Sequence, residues 1–280
     1  MTTPTPRACV VIPAHNEATV IGRCLRALAD DGVPLEVVVA ANACTDDTAA
    51  RARAVPGVNV VETPVASKPA ALNLGDAAGT VFPRIYLDAD IELRDGAVAA
   101  LVAALSTKEP RVAAPQVRFD TERSSWGVRH YYEVFTRLPY ATQGLVGLGV
   151  YGVSAAGRAR FDRFPDLQAD DTFVQRLFAP HERLRVEGSF VVRAPRNLRS
   201  LVRVRTRIAQ GNTALARHEL PAAPATFAQT THGTTRALAA LVRRRPTLAP
   251  SALVYLAVTV AARLRAARPS DRWHRDESTR

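Results

Sequence analysis

The segment Arg84-Ile85-Tyr86-Leu87-Asp88-Ala89-Asp90 joins a short apolar run to two closely spaced carboxylates. Its first four residues have the length and character of a buried strand, which would end directly at Asp88. In an extended chain, Asp88 and Asp90 would lie on the same side, roughly 6–7 Å apart. Hard oxygen ligands of this kind suit Mg²⁺ or Mn²⁺. The segment is therefore a candidate for ligand and metal contact, and the alternative is a solvated turn.

Strand and helix patterns alternate on the N-terminal side of this segment. The predicted strands are Ala8–Ile12, Leu35–Ala40, Val58–Val61 and Arg84–Leu87. The predicted helices start near Glu17, at a Thr45 cap and at Ser67. This alternation predicts an α/β fold with a doubly wound, mostly parallel sheet that is flanked by helices. Because ligands bind at the carboxyl ends of strands in such sheets, the polar residues after each strand are candidate site residues.

Three polar clusters follow these strands in addition to Asp88-Ala89-Asp90. They are Pro13-Ala14-His15-Asn16-Glu17, Ala41-Asn42-Ala43-Cys44-Thr45-Asp46-Asp47-Thr48 and Ser67-Lys68-Pro69-Ala70-Ala71-Leu72-Asn73-Leu74-Gly75. Taken in this order, the four motifs resemble those of the inverting family-2 glycosyltransferases with a GT-A fold: P-x-x-N-E, a polar second-strand end, K-x-x-A-L-N-x-G and D-x-D. The resemblance covers about residues 8–212.

The resemblance implies a sugar transfer from a nucleotide-diphosphate donor to an acceptor hydroxyl, assisted by a divalent metal, Mg²⁺ or Mn²⁺. It implies that Asp90 holds the metal. It also places a set of residues against the nucleotide sugar: Pro13, Glu17, Asn42, Lys68, Asp88, Asp90 and Arg207. Arg207 belongs to Arg203-x-Arg205-x-Arg207, which stands where the family has a basic motif of the Q-x-x-R-W type.

The resemblance also implies a catalytic base. Gly149-Val150-Tyr151-Gly152-Val153-Ser154 is similar to the family's acceptor-site strand, and Phe164–Asp171 is similar to the segment that carries its E-D pair. Aligning Asp170 with the Glu of that pair places the base on Asp171, with Asp170 as the alternative. From local pattern alone, Asp171 could instead cap a helix over Thr172–Phe178.

The sequence departs from the family pattern at three points. Asn42 stands where the family often has an Asp that meets the nucleobase, and Asp170 replaces a Glu. The sequence has no true Q-x-x-R-W motif, which argues against a processive synthase of the cellulose or chitin type. The donor nucleobase, the sugar and the acceptor are not identified by these residues.

The charge divides the 280-residue chain unequally. Residues 196–280 contain 16 Arg, no Lys and four acidic residues, a net charge of +12, whereas the first 195 residues carry a net charge of −1. We expect a GT-A domain over residues 1–212, with a donor half at about 8–95 and an acceptor half at about 96–212. A helical, Arg-rich extension would follow over 213–280. Only three Cys occur, which indicates a reducing, cytoplasmic compartment.

Two other function classes share some features with this sequence. A sugar-phosphate nucleotidyltransferase shares the α/β outline, but Pro13-Ala14-His15-Asn16 lacks the glycines of its N-terminal loop. The net charge of +12 on residues 196–280 is compatible with a nucleic-acid-binding protein. However, no nucleic-acid-binding module occurs in the sequence, so no nucleic-acid partner is expected.

The tail combines an apolar segment with Arg clusters. Residues 246–262 are uncharged, with Arg243–Arg245 before them and Arg263, Arg265 and Arg268 after them. An apolar helix of this kind can lie in a membrane interface, so we expect peripheral association with the cytoplasmic leaflet, near a lipid-linked or membrane-proximal acceptor. The alternative is that Leu253, Leu256 and Val260 pack against the catalytic domain.

Overall fold

A computed structural model describes residues 5–139, 141, 149–167, 169–217 and 231–267. These residues form a mixed α/β structure around one eight-stranded sheet with the strand order β3-β2-β1-β4-β7-β6-β8-β5. The strands are β1 Ala8–Ala14, β2 Leu35–Asn42, β3 Val58–Thr63, β4 Arg84–Leu87, β5 Glu92–Arg94, β6 Val112–Asp120, β7 Val150–Val153 and β8 Arg183–Arg193. The helices are α1 Ile21–Asp30, α2 Thr48–Arg53, α3 Lys68–Ala78, α4 Ala97–Leu105, α5 Trp126–Phe135, α6 Ala155–Arg158, α7 Asp170–Arg176, α8 Leu198–Arg217, α9 Thr231–Arg244 and α10 Ala249–Ala266.

Strands β3, β2, β1 and β4 are parallel neighbours, whereas β7 pairs antiparallel with both β4 and β6. All seven residues of β1 are buried. Its alternate residues, including Val10 and Ile12, pack in one core with residues of α1 and α4. Val11 points to the other face, where a Cβ on Gly75 of α3 would stand 2.6 Å from Val11 Cγ1. The glycine therefore lets α3 lie close to the sheet, and helices cover both faces as a doubly wound fold requires.

The chain divides into two compact units. The first contains the described residues within Met1–Arg118 and Gly147–Val192, and the second those within Phe119–Val146, Arg193–Glu219 and Ala225–Arg280. The core of the second unit is formed mainly by α5, α8, α9 and α10. The predicted domain limits, 1–212 and 213–280, are not tested by this division and stay a prediction. Residues 218–230 and 268–280 of the predicted extension, including Arg268, lie outside the described residues.

The expected α/β architecture is confirmed, and several local predictions need correction. Thr45 does not cap a helix: α2 begins at Thr48 after Asp47, and the Thr45 backbone N–H donates to Asn16 Oδ1. Helix α1 begins at Ile21, four residues later than predicted, after a turn in which Val20 N–H donates to the Glu17 carbonyl. The short edge strand β5 was not predicted.

One helical stretch in the described part of the chain is long and apolar enough to span a membrane, judged by length and composition only. It covers Pro246–Ala266 with a mean hydropathy of 1.5, and one third of that stretch is buried within the protein.

Candidate functional site

The loops that follow β1 and β2 are joined to each other by hydrogen bonds. Asn16 Oδ1 accepts from the Thr45 backbone N–H at 2.7 Å, and the Glu17 N–H donates to Thr48 Oγ1 at 2.7 Å. Asn16 itself lies in the left-handed region, with φ of 53°. Such strain persists where surrounding contacts hold the backbone, as they do here. The two loops therefore form one connected surface at the carboxyl edge of the sheet.

Three of the predicted donor-binding residues lie at this edge, and all are buried. Pro13 is inside β1, and Glu17 is 8% exposed. Asn42 ends β2, and its side-chain amide donates to the Ala14 carbonyl at 3.0 Å. This bond ties the ends of β1 and β2 together, which gives Asn42 a structural role. Its contact with a nucleobase stays a prediction.

The two carboxylates of the Asp88-Ala89-Asp90 motif follow β4 in a turn. The Ile91 N–H donates to the Asp88 carbonyl at 3.1 Å, so the chain turns here and is not extended as predicted. The placement of the two carboxylates on one side stays a prediction. Ala89 and Ile91 are buried in this segment, whereas Asp90 is exposed and Asp88 is partly exposed.

A glycine stands directly against Asp88. The Asp88 N–H donates to the Gly149 carbonyl at 2.7 Å, and a Cβ on Gly149 would lie 2.9 Å from Asp88 Oδ2. Gly149 also has φ of 96°, a conformation that L side chains rarely adopt. Only glycine therefore fits beside the carboxylate.

Lys68 links two of the carboxylates. It is the first residue of α3, whose N-terminus is capped by Ser67 Oγ accepting from the Ala70 N–H. The Lys68 ammonium lies 2.8 Å from Asp88 Oδ1 and 2.9 Å from Asp170 Oδ1. Burial alone would lower the pKa of Lys68, but Asp170 and Asp88 outweigh it and raise that pKa above its usual value. Lys68 is therefore a fixed positive charge.

The neighbouring Asp170 and Asp171, at the start of α7, have different surroundings. Asp170 is 5% exposed, and its second oxygen accepts from the Tyr151 hydroxyl at 3.0 Å. Asp171 is partly exposed and accepts from the Thr172 N–H at 2.5 Å. Burial, together with the negative charge of Asp170, raises the pKa of Asp171 to about 7, although Lys68 lowers it in part. Asp171 is thus suited to exchange a proton near neutral pH.

These side chains line one small, open cavity. Its lining includes five predicted site residues: Pro13, Lys68, Asp88, Asp170 and Asp171. Glu17, Asn42 and Asp90 are not part of the lining. Arg207 lies on α8 in the second unit, and its contact with a nucleotide sugar stays a prediction.

The donor set at the strand end fits a hard divalent ion. The described part of the chain contains no group of three or more His, Cys, Asp and Glu residues that could hold a metal. However, Mg²⁺ is commonly bound through one or two carboxylates together with substrate phosphates. Asp90, exposed in the turn after β4, stays the candidate metal ligand.

Two residues that sequence reasoning did not assign support this site. Tyr151 holds Asp170, and Asn73 of the K-x-x-A-L-N-x-G motif makes two hydrogen bonds to the backbone of Phe164. Asn73 Oδ1 accepts from the Phe164 N–H at 2.8 Å, and its Nδ2 donates to the Phe164 carbonyl at 3.0 Å. Asn73 therefore anchors the segment that leads to the acidic pair, and its place within the motif was the available signal.

A buried ionic cluster supports the floor of the cavity. Asp76 accepts from Arg84 at 3.1 Å, from Arg158 at 2.9 Å and from the Tyr86 hydroxyl at 2.7 Å. The Tyr86 ring packs against Tyr151 with ring centroids 5.2 Å apart. Because charge-assisted bonds of this kind fix geometry, the cluster holds Tyr86 and, through it, the ring that binds Asp170.

We predict that Asn73→Ala lowers the free energy of unfolding by about 2 kcal/mol, because both bonds to Phe164 are lost. Urea unfolding measures the change. Asn59→Ala, at an exposed position of β3, is the matched control and should change the free energy by less than about 0.5 kcal/mol. Equal losses in the two variants would contradict the anchoring role of Asn73.

Residues 9–163 match the family model of glycosyl transferase family 2, which is more than half of the chain. The chain belongs to glycosyl transferase family 2. The resemblance carried by the four motifs is thereby confirmed, and the protein is a glycosyltransferase. The matched family-2 region contains Lys68 and Asp88 but ends before Asp170 and Asp171, so the place of that pair rests on the contacts described above.

Solved structures of glycosyltransferases share the fold of this family-2 chain. The mannosyltransferase PcManGT from Pyrobaculum calidifontis, in complex with GDP-Man and Mn²⁺, is 22% identical with a TM-score of 0.66, over 95% of this chain and 88% of its own. The glucosyl-3-phosphoglycerate synthase of Mycobacterium tuberculosis, in complex with Mn²⁺ and UDP-glucose, is 23% identical with a TM-score of 0.53, over 76% and 79%. The likeness confirms the GT-A fold class. A comparison with curated proteins finds no match.

Proposed function

We propose that this glycosyltransferase moves a sugar from a nucleotide-diphosphate donor to an acceptor hydroxyl with inversion at the anomeric carbon. The observation that carries the proposal is the position of Asp171 in the cavity beside Lys68, Asp88 and Asp170, where burial and the charge of Asp170 raise its pKa to about 7. Support for the donor class comes from the two structural neighbours, one in complex with GDP-Man and the other with UDP-glucose.

Asp171 is the proposed base. Its carboxylate takes the proton of the acceptor hydroxyl, whose oxygen forms a bond to the anomeric carbon. The bond from that carbon to the diphosphate oxygen breaks at the same time, and the leaving oxygen takes the electron pair. Attack from the side opposite the leaving group inverts the configuration. Asp170 is the alternative base, and Asp171 is preferred because the Lys68 ammonium and the Tyr151 hydroxyl each contact one oxygen of Asp170.

The remaining residues stabilise and position the donor. Lys68 is proposed to contribute positive charge to the leaving diphosphate, and Asp88 and Asp170 hold the Lys68 ammonium in place. A divalent ion held by Asp90 would neutralise further negative charge on that diphosphate when bound. Pro13, Glu17 and Asn42 are proposed to face the nucleoside.

A panel of nucleotide sugars tests the proposal, each offered with Mg²⁺ or Mn²⁺. At least one donor should raise the thermal unfolding midpoint and undergo metal-dependent hydrolysis or transfer. The anomeric configuration of the product, measured by NMR, should be opposite to that of the donor. Retention of configuration, or the absence of any effect across the panel, would overturn the proposal.

A further inference from the structure

The second unit has an exposed apolar stripe along α10. Among the described residues, half of the eight exposed large apolar side chains lie on this one helix: Leu253, Leu256, Val260 and Leu264. They are between 39% and 68% exposed. Their spacing of three or four residues places them on one face of the helix. The alternative in which Leu253, Leu256 and Val260 pack against the protein is therefore wrong.

The opposite face of α10 is packed into the second unit. Ala252, Tyr255 and Val258 are buried in its core. The Tyr255 ring stacks on Tyr131 of α5 with centroids 5.2 Å apart, and Ser251 Oγ donates to Glu133 at 2.7 Å. Because these contacts fix the rotation of α10, the stripe does not turn inward.

The segment that carries the stripe contains only positive charge, and Glu133 of α5, which accepts from Ser251 Oγ, lies near its start. Residues 231–267 contain six Arg and neither Asp nor Glu. Arg243, Arg244 and Arg245 are exposed just before α10, and Arg263 and Arg265 are exposed near its end. None of these five arginines forms a salt bridge with an acidic residue in the described part of the chain.

We propose that this face, the Leu253–Leu264 stripe with the arginines at its two ends, docks on an anionic lipid surface such as the cytoplasmic leaflet. The apolar side chains would enter the interface while the guanidinium groups meet lipid phosphates. Trp126, exposed on α5, packs against His130 with ring centroids 4.1 Å apart, and His130 Nδ1 lies 2.6 Å from Ser251 Oγ. An interface-preferring ring therefore lies near the start of the stripe. The enzyme would then work where lipid-linked acceptors are presented.

Two other occupants fit the observations less well. Pro246–Ala266 is long and apolar enough to span a membrane, but one face of α10 is buried against α5 in the core of the second unit, which favours a helix that lies in the interface. A second copy related by two-fold symmetry would bring the same acid-free arginine clusters together, which is electrostatically unfavourable. The proposal does not depend on the chemistry assigned to the active site.

Vesicle sedimentation of the full-length protein tests the docking face. Wild type should bind vesicles of phosphatidylglycerol and phosphatidylcholine at low salt, bind phosphatidylcholine alone far more weakly, and dissociate as salt is raised. L253Q/L264Q should bind at least about tenfold more weakly. The affinity of R243Q/R244Q/R245Q for anionic vesicles should be roughly hundredfold lower than that of wild type. The affinity of R243K/R244K/R245K should stay within about threefold of wild type. Val65→Gln, at an exposed apolar position of the first unit, is the matched control and should bind like wild type.

Thermal unfolding midpoints near that of wild type would show that the variants fold, as expected for exposed positions. Wild type that ignores anionic vesicles, or L253Q/L264Q that binds normally, would overturn the proposal. Retention through an alkaline carbonate wash would instead indicate a spanning helix. A dimer in light scattering that L253Q/L264Q abolishes, without vesicle binding, would assign the face to a second copy.

Discussion

Replacing Asp171 by asparagine is expected to lower the rate of sugar transfer at saturating substrate about 10³-fold. Asparagine keeps the side-chain size and an oxygen that can accept from the Thr172 N–H, but it cannot take a proton from the acceptor. Donor affinity should change by less than about threefold, because a base acts on the acceptor hydroxyl. Single-turnover transfer and a separate calorimetric titration with the donor measure the two effects.

Two control variants accompany Asp171→Asn. Asp166→Asn removes an exposed carboxylate from the same segment and should leave transfer unchanged. Asp170→Asn should reduce transfer less than Asp171→Asn, since asparagine can still accept from the Tyr151 hydroxyl. A nearly silent Asp171→Asn together with a severe Asp170→Asn would move the base to Asp170.

The second large effect is expected for Asp90→Asn. Metal-dependent turnover of the nucleotide sugar should fall about 10³-fold, because less positive charge would then face the leaving diphosphate. The protein should stay folded, since Asp90 is exposed in a turn that is closed by backbone atoms of Asp88 and Ile91. Turnover as a function of Mn²⁺ concentration measures the loss of metal-dependent activity, and circular dichroism on the same sample shows whether the protein is folded.

Asp30→Asn is a suitable control for this second experiment. It removes an exposed carboxylate at the end of α1, and turnover and metal dependence should match wild type. Wild-type turnover with unchanged metal dependence in Asp90→Asn would contradict the proposed role of Asp90 as metal ligand.

The parts of the fold that depend on local pattern could be predicted from the sequence. Arg84–Leu87 is a strand with the predicted bounds, and all four of its residues are buried. A short, mainly apolar run is typical of a strand in a sheet that is covered on both faces. The helix predicted from Ser67 is observed as α3, which begins at Lys68 with Ser67 as its N-cap.

The parts that depend on distant contacts could not be predicted in this way. The bonds between Asn73 and Phe164 join residues 91 positions apart, and no local pattern specifies which backbone an amide will meet. The extended conformation predicted for Asp88–Asp90 was wrong: the segment turns, and the Asp88 N–H donates to the carbonyl of Gly149, a partner 61 positions away that local pattern does not specify. The sequence also left open whether Leu253 faces outward or packs inward. The packing of Tyr255 on Tyr131 fixes the rotation of α10 and leaves Leu253 exposed.

The most direct test of Asp171 as the base is the pH dependence of kcat/KM for transfer, compared between wild type and Asp170→Asn. Below its pKa, Asp171 is protonated and cannot accept the hydroxyl proton, so kcat/KM should fall about tenfold per pH unit on the acidic side, with an apparent pKa of about 7. Asp170→Asn removes a negative charge that raises this pKa, so the acidic limb should move to lower pH while Lys68 stays in place. A wild-type limb near the ordinary Asp value of about 3.9, or a limb that Asp170→Asn does not move, would contradict this assignment.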